Sequence, residues 1–429
     1  MIAGTDFTGL ALSTLERSIF RSAVDAIESD LDGRPLVQAR LYQTIAESSR
    51  KVGLLDFAEE PQRRALDLYT GTPEASEFDV LEAKGNMGIL RNAKGDMDEA
   101  VAIQREVYER RVDLLGPDDE LTITAHLNLG IALSAKGDRD EAERCFLEVQ
   151  ERGTRALGAE HSVTLSGLSE LAVIRRDQGR YPEAEALLEQ VLNARRVQDP
   201  TGMKTMKAIG NMAIIRRLQG RYADAAEMYL DAMEGMTFLA GAGHRDTMTA
   251  MTGYATCLVQ LGRFDEAEPL MLEALERRRR FLGNGHADTI KAVSSLGFFY
   301  YNAGRFAEAE TYWREAEQGF IRLWGEEHPY ALTGIRNMGV VHQAMGRLDE
   351  AEASYRRVLE IQRRVLGDDH PDTINSVMIM SGVLREEGRL EDAEPYYIEA
   401  MERSERVLGP DHQTTVTATY NMGILLFEQ

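Results

Sequence analysis

The chain has 429 residues, with 49 Lys+Arg against 71 Asp+Glu, and therefore a formal charge of −22. That acidity excludes the basic surface on which recognition of RNA or DNA depends, and two widely separated cysteines, Cys145 and Cys257, exclude a disulfide framework or a cysteine-based metal cluster. The N-terminus lacks a basic stretch leading into an apolar core, and no run of about 18 apolar residues spans a bilayer, so a cytoplasmic protein is expected.

Residues 1–37 carry a first helix, introduced by Ser13-Thr14-Leu15-Glu16 at the spacing of a capping box and expected to cap the first repeat. From 38 to 429 one pattern repeats, and no domain boundary interrupts it. Glycine recurs at 53, 95, 137, 179, 220, 262, 304, 346 and 388, a spacing of 42 broken once by a 41. An alanine stands five residues after each, from Ala58 to Ala393, and a Gly, Ala or Ser seven residues before. Small side chains at both places let two helices approach closely.

Within a unit the first helix, A, is read from Thr122–Lys136, where Ala125, Leu129 and Ala132 recur on one face. The glycine then ends helix A in the left-handed conformation, and a tight turn starts an antiparallel helix B. Helix B sets a bulky residue nine positions after the glycine, such as Phe146, Trp313 or Tyr355, to plug the gap opposite the small residue of helix A. Glu273/Arg277, Glu276/Arg280 and Glu360/Arg364 have the spacing of solvated ion pairs on its outer face. Linkers such as Leu366-Gly367-Asp368-Asp369-His370-Pro371-Asp372-Thr373 stop helix B and open the next helix A. Val197-Gln198-Asp199-Pro200-Thr201-Gly202 lacks both the Leu-Gly and the histidine, which predicts a local kink. At the far end, 421–429 reads as a tenth helix A without its helix B, so an apolar strip is expected to stay bare and could self-associate.

A helix pair cannot bury both faces alone, so the units stack. The expected fold is all-α: a right-handed α-solenoid, or superhelix, of about nine and a half helix-turn-helix units, with helix A lining the concave face.

Asn128-Leu129-Gly130, Gly262-Arg263-Phe264-Asp265-Glu266-Ala267-Glu268 and Leu366 to Thr373 resemble the tetratricopeptide repeat, specifically the 42-residue variety of kinesin light chains. The Asn-Met-Gly strings at 86–88, 337–339 and 421–423 are also similar to the arrays that follow the kinase domain in some bacterial serine/threonine kinases. The first resemblance implies a scaffold that holds a peptide in its groove, with helix A asparagines gripping the peptide backbone and basic residues receiving its acidic side chains. The matching asparagines are Asn86, Asn128, Asn211, Asn337 and Asn421, whereas Thr44, Glu170, Gly253, Ser295 and Ile379 break the row.

Three residues before the turn glycines stand Arg176, Arg217, Tyr301 and Arg385, among others. Arg176 and Arg217, near Asn211 and Lys207, would form a local positive pocket for an acidic peptide or a terminal carboxylate, unless Glu170 and Asp177 neutralise them. Tyr301 with Phe298 would offer an aromatic anchor. His161, His244, His286, His328, His370 and His412 lie in different linkers, too far apart to share one metal, and are expected to bond within their own loops. Phosphate-loop, metalloprotease, hydrolase and kinase strings are absent, no cofactor site is legible, and no pair of carboxylates stands out for acid/base work. The function expected is a non-catalytic scaffold for a protein or peptide partner; the alternative is the sensory or docking region of a larger or neighbouring signalling enzyme, such as a bacterial serine/threonine kinase.

Overall fold

A computed structural model describes residues 15–51 and 53–428, and within them every regular element is helical. The capping box expected at Ser13 lies outside the described residues. A π-helical stretch, α1 (Leu15–Arg21), runs into α2 (Ser22–Asp30), whose buried Ile27 packs with Tyr42, Ile45 and Ala65 of the first hairpin.

The described residues fall into two units, one up to Leu261 and one from Gly262. In the first, α3 (Pro35–Lys51) pairs with α4 (Leu55–Gly71), α5 (Glu77–Lys94) with α6 (Met97–Leu115), α7 (Glu120–Lys136) with α8 (Arg139–Ala156), α9 (Ser162–Asp177) with α10 (Tyr181–Gln198), and α11 (Met203–Leu218) with α12 (Tyr222–Ala240); α13 (Arg245–Gln260) packs on α12. The second begins with α14 (Phe264–Leu282) and continues through the pairs α15 (Ala287–Asn302) and α16 (Phe306–Trp324), α17 (Pro329–Ala344) and α18 (Leu348–Leu366), and α19 (Pro371–Glu386) and α20 (Leu390–Leu408), to α21 (Gln413–Glu428). Within each unit every helix packs on the one before and the one after it, which is the stacking of an α-solenoid. Odd-numbered helices from α3 are the A helices and even-numbered ones from α4 the B helices.

The spacing of small and bulky residues has a direct steric basis. Gly130 faces Phe146 so closely that an added Cβ would lie 2.6 Å from its Cε1, and Gly297 and Gly339 face Trp313 and Tyr355 in the same way. The alanines five residues past the turn are fully buried, from Ala58 to Ala393. At the turn itself Gly137 has φ +100°, and its N–H closes α7 onto the carbonyls of Leu133 and Ser134. A residue with a Cβ adopts that backbone poorly.

Each linker histidine caps the A helix it precedes. The Nδ1 of His161, His244, His286, His328, His370 and His412 accepts the backbone N–H two residues on, at 3.1–3.4 Å. Asp119 does the same for α7, and Ser76 with Asp79 forms a full capping box on α5. The linker is also tied by a threonine: Thr373 Oγ1 donates to the Gly367 carbonyl at 2.8 Å. The irregular linker at 197–202 keeps this tie, since Thr205 Oγ1 donates to the Asp199 carbonyl at 2.6 Å.

Successive repeats are joined by a ladder of glutamates. Glu143, Glu185, Glu268, Glu310 and Glu352 each follow the buried alanine of a B helix and reach the next A helix or its turn. Glu143 pairs with Arg175, Glu185 with Arg216 at 2.5 Å, Glu268 with Arg305 at 2.9 Å, Glu310 with Arg347 at 3.0 Å and Glu352 with Arg389 at 2.8 Å. Burial pushes the Glu310 carboxyl up, but His342, Arg347 and Arg314 outweigh it and hold the group below its ordinary value. On the outer face Glu273 and Arg277 pair at 2.5 Å as expected. Arg364 does not take Glu360; it reaches Glu327 in the preceding linker at 2.8 Å, because the stacked neighbour presents a carboxylate within its length.

Candidate peptide-binding face

The asparagine row lies nine residues before the turn glycines, two residues ahead of the small residue that contacts helix B. That offset turns the amides away from the hairpin core. In the first unit Asn86, Asn128 and Asn211 stand on α5, α7 and α11; in the second Asn337 and Asn421 stand on α17 and α21. All five are partly buried. No side-chain hydrogen bond joins any of them to another described residue, so both halves of each amide stay available to a peptide backbone.

The basic residues divide into paired and unpaired. Arg176 turns back on its neighbour, with Nε 2.8 Å and Nη2 2.7 Å from Asp177 Oδ1. Lys207 Nζ is 2.7 Å from Asp246 Oδ2 on α13, and Arg385 Nη1 is 2.9 Å from Glu428 Oε1 on α21. Arg217 has no carboxylate partner among the described residues. Its guanidinium lies against the Tyr229 hydroxyl, which burial pushes up and Arg217 draws down, with Arg176 adding to that pull. Arg176, Arg217 and Tyr229 therefore converge, and the net positive charge of the cluster rests on Arg217. Tyr229 packs its ring on Gly253.

Glu170 occupies the asparagine register on α9. Burial pushes its carboxyl up and Arg176 opposes that only in part; no described residue hydrogen-bonds it. In the second unit the Tyr301 ring lies tilted against Phe306 and Trp313, with centroids 5.6 and 5.4 Å away, and is partly buried, while Phe298 beside it is half exposed. Arg336, one residue before Asn337, is exposed and has no carboxylate partner among the described residues. It falls one position from the asparagine row and outside the row three before the turn glycines that holds Arg176, Arg217 and Arg385, so the sequence shows the residue but not that it is left without a carboxylate.

Burial raises both cysteine thiols to about 11, so neither is a ready nucleophile. Among the described residues no group of three or more His, Cys, Asp or Glu side chains could hold a metal ion, and no helix is long and apolar enough to cross a membrane. What the face can do chemically is donate and accept hydrogen bonds and pair charges.

Comparison with known proteins gives the same architecture. A family model described as tetratricopeptide repeat matches residues 79–152, 127–196, 163–237, 204–280, 246–317 and 377–429, and a second model of that description matches 332–372. No curated protein matches the chain. Among solved structures, the apo form of RapI covers 86% of this chain and 98% of its own at 12% identity and a TM-score of 0.55. A Rap protein complexed with competence and sporulation factor covers 81% and 98% at 14% identity and 0.52. BtubC from P. vanneervenii is 25% identical over 57% of this chain and 94% of its own, with a TM-score of 0.43. At these identities the Rap likenesses speak to the fold alone.

Proposed function

Because the chain belongs to the tetratricopeptide repeat family, we propose that this interaction scaffold holds an acidic or carboxylate-bearing peptide segment against its A helices and performs no chemistry on it. The observation that carries the reading is the unspent hydrogen-bonding capacity of the A helices of each unit, Asn86, Asn128 and Asn211 with the Arg217 guanidinium in the first and Asn337 and Asn421 in the second, none satisfied by a carboxylate or amide of the described residues. Buried or half-buried polar groups are ordinarily paired. Amides left open at one register of several repeats, Asn86 and Asn128 in adjacent ones, suit a partner that supplies backbone N–H and C=O groups. Arg217 adds a planar fork that matches a carboxylate.

The test is affinity for acidic dodecapeptides selected from a displayed random library on the intact chain. Arg176→Ala with Arg217→Ala is expected to weaken them about tenfold or more, as loss of a charged hydrogen bond worth about 1.5–3 kcal/mol requires, at an unchanged melting temperature. Unaltered affinity, or loss of folding in place of loss of binding, counts against the reading.

A further inference from the structure

On the peptide-binding reading, one stretch of the first unit is more specific than the rest. Among the A-helix charges there without a charged partner are two of opposite sign, Glu170 and Arg217. Glu170 stands in the register that holds asparagine one repeat earlier, Asn128, and one repeat later, Asn211. An asparagine there offers a donor and an acceptor; a carboxylate only accepts. Its nearest cation, Arg176, is spent on Asp177 with both Nε and Nη2, so Glu170 keeps a carboxylate without a hydrogen bond from any described residue. Arg217, six residues past Asn211 on α11, has the reverse deficit: a guanidinium beside a phenol and no carboxylate, in a chain with 71 acidic residues. Lys207, on the same helix as Arg217, is neutralised by Asp246.

We propose that the first unit reads a dipolar peptide, with a lysine or arginine side chain of the ligand on Glu170 and an aspartate or glutamate of the ligand on Arg217. The spacing comes from helix geometry. Six residues along a helix is about 9 Å, and α10 packs between α9 and α11, so the two charges are separated by more than about 9 Å, which an extended peptide covers in three residues or more. A ligand with the acid alone leaves Glu170 unpaired beneath it, so Glu170 determines specificity where Arg217 determines attraction.

The test is selection from a displayed random dodecapeptide library on the intact chain and on two variants, Glu170→Gln and Arg217→Ala, with thermal unfolding of each. The wild type is expected to enrich peptides with a basic residue three or more positions from an acidic one. Glu170→Gln should keep the acidic preference and lose the basic one; Arg217→Ala should do the opposite. For a synthetic peptide drawn from the wild-type pool, replacing its basic residue by methionine should cost tenfold or more on the wild type and nothing on Glu170→Gln. Acidic peptides enriched without a basic preference, or a basic preference that survives Glu170→Gln, overturn the inference and leave the general reading standing. A wild type that enriches nothing overturns both. Should Glu170→Gln fail to fold, Glu170→Asn, which restores the residue found in the neighbouring repeats, takes its place, and its failure to fold makes Glu170 a structural residue and overturns the inference.

Discussion

Glu170 is a carboxylate with a stability cost that pH exposes. Burial raises its folded value above the ordinary 4.5, with Arg176 opposing. The folded chain then binds more protons at this site than the unfolded chain once pH exceeds 4.5. Its contribution to stability is whole below that value and is lost as pH rises through the folded value. Glu170→Gln removes the loss, so the variant should melt higher than the wild type at neutral pH and match it in acid, read by thermal scans across pH. A wild type that melts higher at neutral pH would mean that Glu170 already has a cationic partner. At this scale the sequence shows which residues share a face and not which of them are spent. Arg176 and Arg217 occupy one register, yet the first folds onto its own neighbour while the second meets Tyr229 from another helix; rotamer and partner come from packing that spacing does not encode. The same holds for Arg364, whose choice of Glu327 over Glu360 depends on the adjacent repeat.

The hairpin is where the sequence is most legible, because its rules are steric. Glycine in the left-handed turn, alanine at the crossing and a bulky residue over a small one each admit few side chains, and so they recur in phase. Ala309 is wholly buried at such a crossing, with Glu310 beside it bridging to Arg347. Ala309→Leu should overpack the crossing and cost about 1–3 kcal/mol, measured by denaturant titration of the intact chain. Unchanged stability would mean that the crossing has room. The histidine linkers are legible as local structure, and the structure supplies the mechanism: each ring accepts a backbone N–H that a helix start leaves without a partner. The glutamate ladder is not legible. A Glu after the crossing alanine looks like any solvated residue until the next repeat places an arginine against it.

At the scale of the molecule, each unit brings its own asparagines and an arginine without a carboxylate partner among the described residues, Arg217 in one and Arg336 in the other. Apolar side chains also stand free on α21, where Phe427 is 92% and Tyr420 69% exposed. The central claim is that the chain works through the surface of its A helices. Arginine footprinting with phenylglyoxal, read by mass spectrometry with and without a selected acidic peptide, tests it most directly. Bound peptide is expected to shield Arg217 or Arg336 and to leave Arg364 on the outer face of α18 reactive; shielding of Arg364 with Arg217 and Arg336 unchanged would contradict it.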